Sequence, residues 1–552
     1  MKLRDLFEIG LSDTLINSYW NDRFKQGHDQ PFIGIDLIFG NGKRIRVSTE
    51  PIRMIKDNMT IFYEPLLMQD VEISESYNWN GGSPSQRTFT ISLDARDIDP
   101  LSIVLGGDFL AGVAEISIID HDIPFNRRFV FMIGDMIGGV TFGEKREVIE
   151  FDISDPKLTV DKIIPEYITT QEAFGKTEIP ESQLGFRYPL LYNLWQKVPC
   201  VLVNSNIFTP SFMVGYGHDI EVENAYVNGK IAFSQEAVLN SNILPDNQIQ
   251  QWNITKEYDL LGRPYTALNF LDSDLYVLGE NTFDGSESLY TDIKTSNKGT
   301  VVDLIRILLR DHTDFRERGL DEILFSKAKN KEPNYLTAGI CINGSGDNSV
   351  TTLNYITSTL LTSFPMIQLA YSANGIGTVF TDRKMQYTNL HLVRGQNLIY
   401  DRVSALQESS KESLYNVFTL QYDYDAMEDN YKKTLQRNST NNNLCKISEQ
   451  KLGRRELEVI QSINIFDDIT AGYVIDWYAN HYTLPSYTVE YVGTPRLFFL
   501  LKIGDNIELT DDLLGLSKVR GTVTDITYKR GEVTLGLRLW ILYDIISSSI
   551  LQ

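Results

Sequence analysis

From residue 501 to residue 539 apolar and polar positions alternate. Ile503, Ile507 and Leu509 share one face of a strand entered through Gly504-Asp505, and residues 521–528 make a second strand rich in β-branched side chains. Lys529-Arg530-Gly531 suits a tight turn, after which Val533, Leu535, Leu537 and Leu539 alternate with Thr534, Gly536 and Arg538. Period-two alternation around a glycine turn predicts a half-buried antiparallel meander.

The N-terminal part reads in a similar way. Residues 1–30 predict a short amphipathic helix and linker, with Phe7, Leu11 and Leu15 at helical spacing and Ser12 or Asp13 as a cap. Ile33, Ile35, Leu37 and Phe39 then alternate with Gly34, Asp36 and Ile38, and Gly40-Asn41-Gly42 predicts a hairpin returning through Ile45 and Val47. Further strands are expected at 66–74, through Phe89, Ile91 and Leu93, through Ala114, Ile116 and Ile118, and at 129–133. A short helix is expected at 101–105. Ile149, Phe151 and Ile153 share a face of the strand that closes this part. Its ending, residues 134–153, follows the plan of the C-terminal meander: a glycine-opened strand, a short charged turn with glycine, a strictly alternating strand. Two antiparallel hairpins resemble one another by default; the other explanation is a pair of related barrels at the two ends.

Between them, residues 156–180 read as a linker broken by Pro165 and Pro180. Segments 186–192, 198–203 and 226–233 predict strands, the last with Asn228-Gly229 as a hairpin turn, and 265–295 reads as extended and acidic. Val301, Leu304, Ile305 and Leu308 mark a helix with Thr300 at its N-cap. A second helix spans 350–361 and stops before Pro365, and a hairpin turns at Asn374-Gly375. Residues 417–422 alternate, 423–452 read as an exposed polar loop, 470–481 as a helix, and 487–491 as the strand leading into the meander. The fold class that follows is mainly β with some α (α+β).

The chain has 552 residues, too many for one core at about 150 residues per domain. Its net charge of −22 makes a poor grip for nucleic acid. The plain reading of that charge is solubility; the second is a conduit that DNA slides through without sticking. Cys200, Cys341 and Cys445 stand far apart and predict neither a disulfide framework nor a zinc site. No secretory signal and no apolar run of membrane-spanning length is present, so no membrane anchor is expected.

Candidate chemistry is thin. His218-Asp219 with Ser205 or Ser211 lacks the G-x-S-x-G context of a serine nucleophile. Asp511-Asp512, and Asp94 with Asp97 and Asp99, read as solvated turn residues rather than paired catalytic carboxylates. Asp272-Ser273-Asp274 opens like a calcium loop but lacks its sixth-position glycine and distal glutamate. Arg454-Arg455 reads as a salt-bridged strand end. The expectation is no catalytic, cofactor-binding or metal-binding residue, no cofactor, and no enzyme.

The order of helix 470–481, a proline-containing strand at 487–495, the Gly504-Asp505 strand of 501–511 and the hairpin 521–539 resembles the last domain of bacteriophage tail hub proteins. These are the baseplate hubs of long-tailed phages and related injection machines. Ala114-Glu115-Ile116-Ser117-Ile118-Ile119-Asp120, the strands of 131–142 and 148–153, and Tyr188-Pro189-Leu190 followed by Val198-Pro199 resemble the family's other parts. The likeness is one of pattern and order, over roughly half of the chain. It implies an N-terminal β-barrel hub domain at 1–165, a strand-rich connecting domain at 166–298, an α+β domain at 299–395 and a C-terminal β-barrel hub domain at 396–552. It implies a homotrimeric ring at the tail tip of the virion, assembled in the host cytoplasm, that joins a six-fold tail to a three-fold tip and closes or opens the DNA channel. The implied partners are a distal tail protein, the tape-measure protein and a central tip or fibre protein, with DNA passing through without specific binding. The alternative is a tail-tip receptor-binding or carbohydrate-active protein, for which repeated β-helix rungs or a lectin-like tip are expected; the chain has no fixed-period repeat.

Overall fold

Two sheets, one near each end of the chain, repeat the same strand order. The computed structural model describes residues 13–26, 30–40, 42–76, 87–96, 112–142, 147–155, 161–175, 179–205, 210–234, 251–270, 289–296, 299–314, 319–343, 350–372, 375–382 and 390–541. In the N-terminal sheet, Val113–Ile119, Phe129–Phe142 and Val148–Ser154 form an antiparallel meander, and the preceding strand, Thr88–Asp94, returns to pair with the last of them. In the C-terminal sheet, Asn506–Asp511, Leu516–Lys529 and Glu532–Leu539 form the meander, and the preceding strand, Tyr487–Gly493, again pairs with the last. Both middle strands are 14 residues long. Both shift register against the hairpin partner, between Ile137 and Thr141 in one and between Val523 and Asp525 in the other. Such bulges bend a strand and raise its twist, which lets a long strand curve around a core.

The edges of both sheets are bridged. At the N-terminal sheet, segment 64–68 bonds to both edges: Ser48 N donates to Glu64 O, and Met68 N donates to Ser92 O. At the C-terminal sheet, the edge strands Leu390–Val393 and Leu398–Val403 are joined by a tight turn in which Gly395 N donates to Leu398 O. The alternation at the C-terminus does what its period predicts: Val533, Leu535, Leu537 and Leu539 are buried, while Thr534 and Arg538 lie half-buried.

Between these sheets stands a third, of eight strands. Its edge strands, Leu194–Pro199 and Val201–Asn204, are separated in the chain by Cys200 alone, so the sheet curls around its own core of Trp195, Phe212, Trp252 and Leu268. Asn228 and Gly229 form its tightest hairpin, with φ of 46° and 79°, the left-handed pair that suits Asn-Gly. A helical core completes the molecule. Helix Val301–Asp311 begins at the expected N-cap, Thr300, which forms a capping box with Asp303, and buries Val301, Leu304, Ile305 and Leu308. Helix Asp468–Tyr482 and strand Phe418–Asp425 share that core with it, so residues far apart in the chain meet there.

Several expectations are corrected. The N-terminal helix, Asp13–Lys25, buries Ile16 and Trp20 while Leu15 points to solvent at 55% exposure; Phe7 and Leu11 lie outside the described residues. The strand expected at 66–74 is reduced to Ile73–Ser76 and pairs with the other end of the chain. The polar stretch 423–452 is no loop. It holds strand Asn430–Arg437 and helix Asn443–Leu452, whose first amides bond to the Asn442 side chain. The helix expected at 101–105, with Asp97, Asp99 and Asp272-Ser273-Asp274, lies outside the described residues.

Strand Phe32–Ile38 is buried on both faces, where alternation predicted one. The hairpin Ile52–Lys56/Met59–Tyr63 covers the second face: a Cβ on Gly34 would meet the Tyr63 ring at 2.8 Å. Asp36 is therefore sealed in, directly opposite Glu115 on the neighbouring strand. Burial, and then the Glu115 charge, push the Asp36 carboxyl up to about 6. Its unfolded value lies lower, so the folded state binds the extra proton and gains from it. The gain is complete below about pH 4 and is lost as pH rises through about 6. Asp36→Asn is expected to flatten the fall of melting temperature between pH 4 and 6; an unchanged slope would place the titration elsewhere.

Candidate functional site

The chain offers a joint where its two ends become one body. Strand Ile73–Ser76 follows segment 64–68 in the chain and pairs antiparallel with Leu516–Lys529 of the C-terminal sheet, matching Ile73 to Tyr528 and Glu75 to Ile526. The inner faces of both sheets then contribute to one continuous apolar core. Pro495 starts the short helix Arg496–Leu500, which delivers two adjacent aromatics into the gap. Consecutive helical side chains diverge by about 100°, so Phe498 and Phe499 share Phe129 but otherwise reach different rings. Phe498 lies 5.2 Å from Tyr528 and 5.9 Å from Phe131, ring centre to ring centre. Phe499 lies 4.9 Å from Phe129 edge-on and stacks on Trp20 at 5.7 Å. Trp20 is fully buried, and its indole N–H donates to Arg127 O at 2.9 Å. The helix Asp13–Lys25, the N-terminal sheet and the C-terminal helix are thus pinned through one aromatic cluster. Each well-placed aromatic pair adds about 0.5–1.5 kcal/mol beyond its buried area.

A charged chain runs beside the aromatics. Arg87 donates through Nε and Nη2 to the two oxygens of Asp155, at 2.9 and 2.7 Å, and its guanidinium carbon lies 4.8 Å from the centre of the Phe131 ring. Glu75, carried in on the crossing strand, stands 4.0 Å from both Arg87 and Lys502. Burial opposes the charge on Arg87, yet the Asp155 carboxylate holds its pKa above the ordinary value. The alternation of signs from Lys502 through Glu75 and Arg87 to Asp155 leaves no net charge in the joint. Buried ions without partners are costly, so this pairing also fixes which strand lies against which. These residues went unread in the sequence. The one local signal was the Phe498-Phe499 pair that begins three residues after Pro495, where a surface turn would carry polar side chains.

The residues that sequence reading singled out as candidate chemistry do not converge. The His218 ring nitrogen Nε2 bonds to Glu257 O at 2.9 Å, whereas Ser211 is buried in a strand opposite Asn269. Asp511 is not a solvated turn residue: it is fully buried, accepts from Tyr491 Oη at 2.6 Å and from Arg394 Nη1, and caps the turn that follows through Leu513 N. Asp94 pairs with Arg96, whose hydrogen bonds hold its carboxyl down at about 2. Arg454 pairs with Glu456, as a strand end would. Among the described residues, no group of three or more His, Cys, Asp or Glu side chains is placed to hold a metal ion, and no helix is long and apolar enough to cross a membrane.

No family model matches the sequence, and no curated protein does. Solved structures are similar in part. A tail protein from Neisseria meningitidis MC58 aligns with 92% of this chain and 96% of its own, at 10% identity and a TM-score of 0.38. The 43 kDa tail protein of prophage MuSo2 from Shewanella oneidensis aligns with 92% of this chain and 98% of its own, at 9% identity and a TM-score of 0.35. A chain from the virion of a native gene transfer agent particle aligns with 66% of this chain and 85% of its own, at 10% identity and a TM-score of 0.40.

Proposed function

We propose that the chain is a structural hub subunit of a long-tailed bacteriophage tail, assembling as a homotrimeric ring at the tail tip. The observation that supports this reading is the repeated strand order at the two ends of the chain, held together by one core. A subunit built this way carries two like β-barrel units at a fixed mutual angle. Three subunits then offer six like units around a three-fold axis, which is what joins a six-fold tube to a three-fold tip. Residues 1–165 and 396–552 supply the two barrels. Residues 166–298 and 299–395 stand between them, the latter resting on helix Asp468–Tyr482. The partners of this reading are the distal tail protein, the tape-measure protein and a central tip or fibre protein. The net charge of −22 per chain suits a lumen through which DNA passes without being held.

Native mass spectrometry and cryo-electron microscopy of the purified chain test the proposal. The expected result is a closed trimer with the two end units alternating around the ring. A monomer at high concentration, or an open fibre, would overturn it.

A further inference from the structure

A cleft of about 360 Å³ opens where the middle sheet meets the end of helix Val301–Asp311. That volume is at the small end of ligand pockets, which run from about 300 to 1,000 Å³, and it suits a single side chain or a single small ring. Four of its walls are tyrosines: Tyr167, Tyr188, Tyr192 and Tyr216. Three carboxylates, Glu166, Asp219 and Asp311, stand among the lining residues, and no lysine or arginine does.

The hydrogen-bonding character of these groups decides what fits. Tyr188 donates its hydroxyl to Asp259 at 2.6 Å, and the Tyr192 hydroxyl is engaged with His312 Nε2 at 2.9 Å. Burial raises the pKa of both phenols, so both stay neutral and keep those bonds. Burial also lowers the His312 pKa, which keeps the imidazole uncharged near neutrality. A carboxylate offers about four lone-pair sites and is never saturated by one donor. The capacity left to a ligand is thus mostly acceptor capacity, negative in sign, between aromatic faces. The helix that ends at Asp311 adds the negative pole of its dipole. A neutral sugar needs donors as well as acceptors; a cation with several N–H groups needs acceptors and π faces.

The wall already holds a group of that kind. The Arg263 guanidinium carbon lies 4.7 Å from the centre of the Tyr167 ring, on a side chain that does not line the cleft. Arg310, the nearest cation on the helix, is taken up by two hydrogen bonds to its neighbour Asp311.

We propose that this cleft is a binding site for an arginine side chain presented by an exposed segment of a partner protein. The guanidinium lies against the Tyr167–Tyr216 wall, whose ring centres are 5.3 Å apart, and donates to Glu166 and Asp219 at the mouth. The aliphatic stem runs past Leu191 and Ile220. The site does not depend on the hub reading and stands or falls separately from it.

Calorimetric titration of the full chain with Nα-acetyl-arginine methylamide tests the site, with the isosteric but uncharged Nα-acetyl-citrulline methylamide and methyl-β-glucoside as comparison probes. Saturable one-site binding of the arginine probe is expected, weakening as salt is raised. The citrulline probe is expected to bind at least about tenfold more weakly, the ratio that 1.4 kcal/mol represents. Glu166→Gln, at an exposed position with no fold to lose, is expected to weaken the arginine probe by about two- to fivefold and leave the melting temperature unchanged. Equal binding of the two probes, binding of the glucoside in place of arginine, absence of saturable binding, or an unaltered affinity in Glu166→Gln would each overturn the proposal.

Discussion

Arg128→Ala is expected to cost about 3–5 kcal/mol, the range for breaking a buried ion pair by removing one partner. Arg128 is 1% exposed, is paired with the sealed Glu115 and feels the charge of Asp36 beside it. It donates through Nε and Nη2 to the two oxygens of Glu115, at 2.6 and 2.8 Å, and through Nη1 to Phe125 O at 2.8 Å. Its guanidinium also covers the Phe125 ring at 3.8 Å. Asp36, the partner of Glu115 across the strands, draws on Arg44 and Arg46 from the half-buried rim. Without Arg128, two facing carboxylates are left with the rim arginines alone, and one of them must take up a proton or the strands must part. Differential scanning calorimetry is the direct measurement, read as a drop of the first unfolding transition. The double variant Arg128→Ala/Glu115→Gln is expected to recover part of the loss, because it removes the orphaned charge with its partner. A single variant that melts with the native protein would mean that water reaches this site.

Phe499→Ala is expected to be about as severe, in the range of about 3–5 kcal/mol seen for emptying an aromatic site in a core. Its effect should be placed differently. Phe499 touches Trp20, Phe24 and Phe129, so its loss opens a cavity between the N-terminal helix, the N-terminal sheet and the C-terminal sheet. Hydrogen exchange should then quicken in Ile73–Ser76 and in the half of Leu516–Lys529 that pairs with it, while strand Val201–Asn204 of the middle sheet keeps its protection. A uniform change across all three sheets would show that the joint is not a separate unit of stability.

Much of the fold was legible where one rule governed one segment. The alternation of 533–539, the Thr300 cap, the Asn228-Gly229 turn and the helix over 470–481 all depend on neighbours close in the chain, and all stand in the structure. What escaped reading depends on which surface covers which. Asp36 sits at an outward position of an alternating strand and is polar, as an outward residue should be; only the hairpin laid over it from 52–63 makes it internal. Leu15 fits the helical stripe that local spacing suggests, yet the helix turns its Trp20 face inward because the aromatic partner, Phe499, is supplied from the far end of the chain. Asp511 looked like half of a solvated pair for the same reason. Arg394, from the turn after Leu390–Val393, and Tyr491, from strand Tyr487–Gly493, take up its charge and its lone pairs. The joint itself was invisible to any rule of local pattern, since Glu75, Arg87 and Lys502 are ordinary surface residue types until the crossing strand brings them inside.

The crossing strand also sets a schedule for the newborn chain. Ile73–Ser76 leaves the ribosome early, but its pairing partner lies some four hundred and fifty residues later, as the register of Ile73 with Tyr528 requires. At roughly 5–20 residues per second, translation keeps that edge and the apolar face behind it waiting for roughly 20–90 seconds. During that interval Ile73–Ser76 has no partner strand, and the N-terminal sheet lacks the aromatic pair that packs against it. The joint therefore cannot form before residue 528 has been made, and the early half of the subunit is a natural client for whatever shields unpaired strands in the cell.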